Sequence, residues 1–333
     1  MARIAVIILN WNGRKLMQDF LPSVVKFTDP EIGRVIVADN ASTDDSVEWL
    51  TGQYPDVDLI RFGENYGFAG GYNRAIDQVD EEIVLLLNSD VEVTEGWLSP
   101  LLEILDRDPG VAAVQPKIKS WKEKEKFEYA GACGGYIDKW GFPFCRGRVL
   151  DVTEVDEGQY DSVAEIFWCS GAAMCIRREI YRKAGGLDER FFAHMEEIDL
   201  CWRIRNVGWS LKVNPQSVVY HLGGGSLPMN HPRKLFLNYR NNLLMIYKNL
   251  YPALRRRVMF FRFGLDFAAA MMFLIKGEYS NTKSIFAAYR EFRKLRKHYK
   301  PATIKHLDDC IFKCSIIFAF YLHGKKYFSQ YLG

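Results

Sequence analysis

The chain has 333 residues, 48% apolar and 26% charged, with no low-complexity tract, which excludes a disordered protein and exceeds one average domain. A formal net charge of +3 conceals an asymmetry: residues 1–230 carry 24 Lys and Arg against 36 Asp and Glu, and residues 231–333 carry 20 against 5. The two parts bear −12 and +15, so an acidic partner, if there is one, is to be sought at the tail. Seven cysteines without a CxxC pair or a zinc spacing exclude a disulfide scaffold and a zinc finger, and Cys169, Cys175 and Cys201 read as reduced core thiols of a cytoplasmic protein.

MARIAVIILNWNG has too short an apolar centre and no small-residue cleavage site, so it reads as a first strand rather than a signal peptide. RIAVIILN, VIVADN at 35–40 and EIVLLLNSD at 82–90 are three β-rich apolar runs, each ending in Asn or Asp. KLMQDFLPSVVKF, SVEWLTGQY and GGYNRAIDQV lie between or beside them with helical spacing. The alternation predicts a parallel sheet covered by helices on both faces, with ligands bound at the carboxyl ends of its strands. All three polar endings then converge on one crevice.

A helix, PLLEILDRDP, and a strand, VAAVQPKI, follow, and residues 119–165 read as a loop-rich excursion with short strands near the acceptor side. FWCSGAAMCIRREIYRKAGGLDERFF returns to strand, helix and Gly turn, HMEEIDLCWRIRNVGW is a helix stopped at Gly208, and SLKVNPQSVVYHLGGGS is a strand ending in a flexible loop. From Lys234 onward the pattern is helical to the end. The longest uncharged apolar run of the tail, 267–275, falls short of the roughly 18 residues of a spanning helix. No transmembrane segment is predicted.

Each polar ending has a bland and a chemical reading. In ADNASTDDS, Asp39 and Asn40 follow a strand and Asp44 stands at a helix start, which suits a helix cap or an acceptor for a nucleobase or ribose. GENYGFAGGYNRAI matches neither GxGxxG nor GxxxxGK[ST]; it is a tight turn or a loop that lets backbone, Asn73 and Arg74 approach a nucleotide. Asn88, Ser89 and Asp90 form an Asx turn or offer a carboxylate for a hard divalent ion on diphosphate oxygens. In HMEEIDLCWR a Glu–Arg ladder competes with a general base, because adjacent carboxylates at a helix start raise one another's pKa. His221, before Gly223, Gly224 and Gly225, is a turn residue or a metal ligand.

VIILNWNG, VADNASTDDS, NYGFAGGYNRAI, LLLNSDVEVTEGWL, GGLDERFFAHMEEIDLCWR and VVYHLGG resemble, in order, the motifs of the family-two inverting glycosyltransferases of the GT-A fold. The resemblance covers about residues 3–230 and is closest to the rhamnosyltransferase-like group that builds bacterial cell-surface polysaccharides. It implies an α/β fold with a mixed, mainly parallel sheet and flanking helices over 1–230, followed by a C-terminal helical extension over 231–333. It further implies that Asn10, Asn12, Asp39 and Asp44 hold base and ribose and that Gly67, Phe68 and Asn73 line the same pocket. Asn88 and Ser89 join that donor set, Asn88 standing where the family's DXD motif has its first Asp. Asp90 carries over as the metal-binding carboxylate and His221 as a further ligand of Mn²⁺ or Mg²⁺. Glu197 aligns with the catalytic base, Glu occupying the usual Asp position, with Glu196 as the alternative.

In LRRRVMFFRF and REFRKLRKHYK, basic residues alternate with aromatic and aliphatic ones. They read as a solvated helical face or as amphipathic helices on an anionic membrane, and the nucleotide and metal residues upstream give no reason to expect nucleic acid. The whole reads as a cytoplasmic enzyme, peripheral on the inner face of the membrane, taking a nucleotide-diphospho-sugar donor and a glycan or lipid-linked acceptor. Its rivals are a sugar-1-phosphate nucleotidyltransferase, whose Gly-rich loop after the first strand is missing, and a catalytically silent sugar-nucleotide-binding or scaffold protein.

Overall fold

A computed structural model describes residues 3–223, 231–300 and 311–332. Chain order begins β1 (Ile4–Asn10), α1 (Arg14–Phe27), β2 (Gly33–Asp39), α2 (Ser46–Gln53), β3 (Asp58–Arg61), α3 (Gly67–Asp77), β4 (Ile83–Leu87). It continues with β5 (Val91–Val93), α4 (Ser99–Arg107) and β6 (Val111–Ser120), then β7 (Gly135–Asp138), β8 (Pro143–Cys145), β9 (Arg148–Val149) and β10 (Val152–Thr153). β11 (Ala164–Ile166), β12 (Ala173–Arg177), α5 (Arg178–Lys183), α6 (Glu196–Asn206) and β13 (Ser210–His221) complete the main layers. The tail adds α7 (Pro232–Asn249), α8 (Pro252–Ile275), α9 (Tyr279–Leu295), β14 (Ile311–Phe312) and α10 (Ile316–His323).

The main sheet runs β11-β13-β6-β12-β4-β1-β2-β3, with β5 paired to β13. β3, β2, β1 and β4 are parallel, and the antiparallel β12 separates them from the parallel pair β6 and β13. Alternation along β1 explains its unbroken apolar run. Ile4, Val6 and Ile8 face Met17 and Leu21 of α1 and Leu101 of α4, whereas Ala5 and Ile7 face Tyr72 and Ile76 of α3, so both sides of the strand are buried. A Cβ at Gly71 would stand 2.6 Å from the Leu9 Cδ1 methyl, so a larger residue there would displace the end of Leu9 or push α3 away from β1.

The excursion forms a second sheet, β10-β9-β8-β7-β14, in which the tail supplies the last strand. That strand, at Ile311–Phe312, interrupts the helical tail that the sequence predicts, because its backbone completes the edge of β7. Leu243, Leu244, Met245 and Ile246 of α7 are buried in the core that holds α3 and α6, so described residues on both sides of position 230 share one core. The flexible loop predicted after His221 lies mostly outside the described residues.

One expectation is corrected. α8 has 24 residues and its most apolar window has a mean hydropathy of 1.8, so by length and composition it is enough to cross a bilayer. Counting only charge-free residues hides this, because Arg262 and Asp266 interrupt the run, yet one helical turn apart they pair with each other at 3.3 Å and are both buried.

Candidate active site

Strand ends β1 and β2 bring the first cluster together. Asn10 Nδ2 lies 3.0 Å from Asp39 Oδ1 and 3.1 and 3.0 Å from Ser42 and Ser46 Oγ, three acceptors that share its two N–H groups. Asn12 Oδ1 accepts from the backbone of Thr43 at 2.7 Å and Asp44 at 3.3 Å, and Asp44 Oδ2 accepts from the backbone of Arg14 at 3.1 Å. Burial would raise the Asp44 carboxyl, but these hydrogen bonds and those of Ser46 hold it below the ordinary carboxylate range. Asn10, Asn12, Asp39 and Asp44 therefore form one bonded group at the sheet's carboxyl edge.

Asn40 joins this group to the glycine loop: its Oδ1 accepts from Tyr66 N at 2.9 Å and its Nδ2 donates to Gly67 O at 3.0 Å. Gly67 starts α3 with φ +70°, a region costly for side chains with Cβ, and Phe68 packs edge-on to Tyr72 at 4.8 Å. Asn73 faces elsewhere. Its Oδ1 accepts from Tyr181 Oη at 2.6 Å and Leu187 N at 3.0 Å, and its Nδ2 donates to Leu187 O at 2.9 Å, so it clamps the turn between α5 and α6.

The NSD turn follows β4, whose five residues are fully buried. Asp90 and His221, the end of β13, meet because β5 pairs with β13: Asp90 Oδ1 stands 3.1 Å from His221 Nε2, with Asn88 Nδ2 3.4 Å from that nitrogen and Ser89 half-buried in the turn. Behind the imidazole, Glu128 of the excursion places Oε2 3.5 Å from Nδ1, an ion-pair distance beyond hydrogen bonding. Burial opposes charging His221, but Glu128 and Asp90 push it up to about 10. Burial would likewise raise Asp90, yet the hydrogen bond and charge of His221 hold it below the usual range. Glu128 carries no motif and was invisible in the sequence; only the fold of 119–165 delivers it.

α6 presents the carboxylate pair. Asn88 N donates to Ala172 O at 3.0 Å, and the adjoining Gly171 lies with its Cβ position 3.4 Å from Phe68 and 3.7 Å from Cβ of Glu197. The polar turn, Phe68 and Glu197 thus border one another. Glu196 is buried, while Glu197 is only partly so, and each has an unpartnered carboxylate oxygen, Oε2. Burial, with the charge of Glu197 next, pushes Glu196 well above the carboxylate range; burial pushes Glu197 up to about 7. The Arg203 partner is Asp199, at 2.9 Å, rather than Glu196.

The loop leading into this helix is strained. Among the described residues seven non-glycines have positive φ, and five of them, Asn12, Ala41, Phe192, His194 and Met195, lie in loops of this crevice. Asn241 of α7 holds it: Nδ2 lies 2.9, 2.8 and 2.8 Å from the carbonyls of Phe191, Ala193 and His194, and Arg240 donates to Phe191 O at 2.7 Å. The tail is thus part of the site's support, which no motif in the sequence announces.

Residues 5–182 match the model of glycosyl transferase family 2. The chain belongs to that family. A relative, the N-acetylglucosaminyl-diphospho-decaprenol L-rhamnosyltransferase of Mycobacterium tuberculosis, is 28% identical over 236 residues, 66% of this chain and 75% of that one. The glycosyltransferase shares its fold with S. aureus TarS 1-349 in complex with UDP-GlcNAc (TM-score 0.58, 16% identity, 88% of this chain and 80% of that one). It shares it also with the mannosyltransferase PcManGT of Pyrobaculum calidifontis in complex with GDP-Man and Mn²⁺ (TM-score 0.54, 16% identity, 88% and 75%). The expected GT-A architecture, a mixed α/β sheet with flanking helices and C-terminal helices, is the fold of this family member.

Does the glycosyltransferase have room for a divalent ion? Among the described residues no group of three or more His, Cys, Asp and Glu side chains makes a ready cage. Two cis ligands about 2.1 Å from one ion stand roughly 3 Å apart, which is the separation of Asp90 Oδ1 from His221 Nε2, 3.1 Å. Once His221 gives up the proton that Glu128 and Asp90 hold on it, the pair offers one carboxylate and one imidazole, a donor set that Mn²⁺ or Mg²⁺ accepts. Glu128, 3.5 Å behind Nδ1, faces the imidazole with its charge but without a hydrogen bond. The residues present fit the ion.

Proposed function

We propose that the chain is an inverting, divalent-cation-dependent glycosyltransferase that moves a sugar from a nucleotide-diphospho-sugar, dTDP-rhamnose before a UDP-sugar, to a glycan or lipid-linked glycan in cell-surface polysaccharide synthesis. The observation that carries it is Glu197: a residue only partly buried, with one carboxylate oxygen buried and unpartnered and a pKa that burial pushes up to about 7, bordering the Asn88–Asp90 turn. Such a group takes the proton of an acceptor hydroxyl as that oxygen attacks the anomeric carbon from the face opposite the diphosphate. One displacement inverts the stereocentre. Glu196, buried and with its pKa pushed well above the carboxylate range by burial and then by the charge of Glu197, is ill placed to be the base.

Asn10, Asn12, Asp39 and Asp44 hold base and ribose beside Gly67 and Phe68, while Asp90 and His221 would hold the cation. The cation, when bound, neutralises charge developing on the leaving diphosphate. Asn88 and Ser89 border donor and cation, and Asn73 acts from behind by fixing the turn before α6. The rhamnosyl donor and the lipid-linked acceptor take support from the mycobacterial relative, whose name specifies both a rhamnosyl group and a diphospho-decaprenol. Peripheral attachment to the cytoplasmic face of the membrane would bring the enzyme to such an acceptor.

The test is thermal shift with dTDP-, UDP- and GDP-sugars, each with and without Mn²⁺, since a ligand bound only by the folded state raises Tm. Stabilisation by one nucleotide class, enhanced by Mn²⁺ and with that enhancement lost in Asp90→Ala, is the expected result. Donor binding without any transfer or donor hydrolysis would favour the silent sugar-nucleotide-binding protein instead.

A further inference from the structure

Helix α8 has its polarity reversed. Its only ionic side chains from 258 to 275, Arg262 and Asp266, face the protein: Tyr289 Oη donates to Asp266 Oδ2 at 2.8 Å, and the Arg262 guanidinium lies 3.6 Å from the Phe142 ring centroid. The outward side carries Phe260, Phe263, Phe267 and Ile275, which are 75%, 52%, 46% and 87% exposed. From 260 to 275 the exposed surface has no ion at all over roughly 24 Å of helix. Soluble monomers rarely leave such a stripe to water.

At the N-terminal end of the helix lies a cavity of about 450 Å³ between α7, α8 and α9, lined by Arg255, Arg256, Arg296 and Lys297 with Met259 and Phe292. No ion pair among the described residues engages any of these four cations; Arg255 donates only to Tyr247 O, at 3.1 Å. Arg256 both lines the cavity and heads the outward stripe, since Phe260, Phe263 and Phe267 follow at i+4, i+7 and i+11 on one helix side. The polar seat and the apolar stripe are therefore continuous.

We propose that this face seats the protein on an anionic lipid bilayer, with α8 in the interfacial plane, its phenylalanines among the acyl chains and a lipid phosphate in the cavity. In-plane seating follows from the buried side of α8, which is fixed to Tyr289 of α9 and to the excursion through Phe142 and through Trp140, 4.3 Å from Phe261. Arg257 and Lys276, exposed at the two ends, reach headgroups on either side of the stripe. A second copy of the chain would bring four more cations to this end, whereas phosphate neutralises those present. The inference specifies how the proposed transferase meets a lipid-linked acceptor and rests on that reading for its purpose. Its test uses neither donor nor turnover, so the two fail separately.

The experiment is flotation of the full chain with phosphatidylcholine vesicles, with and without phosphatidylglycerol, at rising salt. Wild type is expected to float with the anionic vesicles and to be released by salt. Phe260→Ser, Phe263→Ser and Phe267→Ser combined should weaken partitioning by about tenfold or more, and Arg255→Glu with Arg256→Glu by about fivefold or more per residue. All five side chains are exposed or half-exposed, and an unchanged Tm shows that the variants fold. No flotation at low salt, or flotation indifferent to the serine set, overturns the proposal. So does a Tm raised by inorganic phosphate in a protein that binds no vesicle, which would make the cavity a free-phosphate site. A dimer in ultracentrifugation that the serine set dissociates overturns it in favour of a second copy.

Discussion

Glu197 and Glu196 are adjacent in sequence but differ in burial: Glu197 borders Gly171 and is partly exposed as a residue, whereas Glu196 is buried, and each keeps one buried, unpartnered carboxylate oxygen. Glu197→Gln should therefore cut kcat by about 10²- to 10⁴-fold, the worth of a general base, and leave donor affinity by calorimetry nearly unchanged. Wild-type turnover should rise with pH through about 7 and then level, following ionisation of Glu197. Stability moves the other way. The folded pKa lies above the ordinary 4.5, so this carboxyl's contribution is full below 4.5 and is lost as pH rises through about 7. Relative to wild type, Glu197→Gln should gain Tm at pH 8 and not at pH 4, which thermal denaturation at both pH values checks. The residue types at 90, 197 and 221 were legible in sequence because they end strands or begin a helix. Glu128 was not, since its role depends on a loop-rich stretch returning to His221.

Among the elements, α7 does the work that motifs do not report. Asn241 bridges three carbonyls of a loop with left-handed non-glycine residues, and Lys248 bonds Asp188 and Asp199, each at 2.8 Å, tying α7 to both ends of the same segment. Asn241→Ala leaves buried carbonyls unpaired, at about 1–3 kcal/mol, and is expected to lower Tm and slow turnover with little change in donor affinity. Equal losses in donor affinity and turnover would mean that the loop serves donor binding instead. At the other layer, Gly71→Ala forces a methyl against Leu9, a strain of about 1–3 kcal/mol that chemical denaturation would read as a lower midpoint. Helix α8 was misjudged from sequence for a related reason: Arg262 and Asp266 look like breaks in an apolar run until folding turns them inward together.

For the molecule as a whole, the charge division at 230 does not coincide with a division of packing among the described residues. α7 contributes four fully buried apolar residues, and Phe312, Phe328 and Tyr331 pack around Phe144 of the excursion. Residues 1–230 alone should accordingly be insoluble or lack a cooperative transition, because removing the tail exposes Leu243's neighbours and unpairs β7 from β14. A soluble fragment with a sharp thermal transition would show instead that the sheet and its first helices suffice.

The amino-acid sequence by itself determined the β–α alternation, the sheet's polar carboxyl edge and the identity of its acidic residues. Those signals are local: strand runs, glycine turns and helix starts are properties of neighbours in the chain. Only tertiary structure decided which of the two glutamates is the more buried, that Glu128 stands behind His221, that Asn73 clamps a turn, and that the basic tail supports the site and turns an apolar stripe outward. Each of these depends on residues far apart in sequence, whose juxtaposition is fixed by how buried surfaces pack rather than by any local pattern.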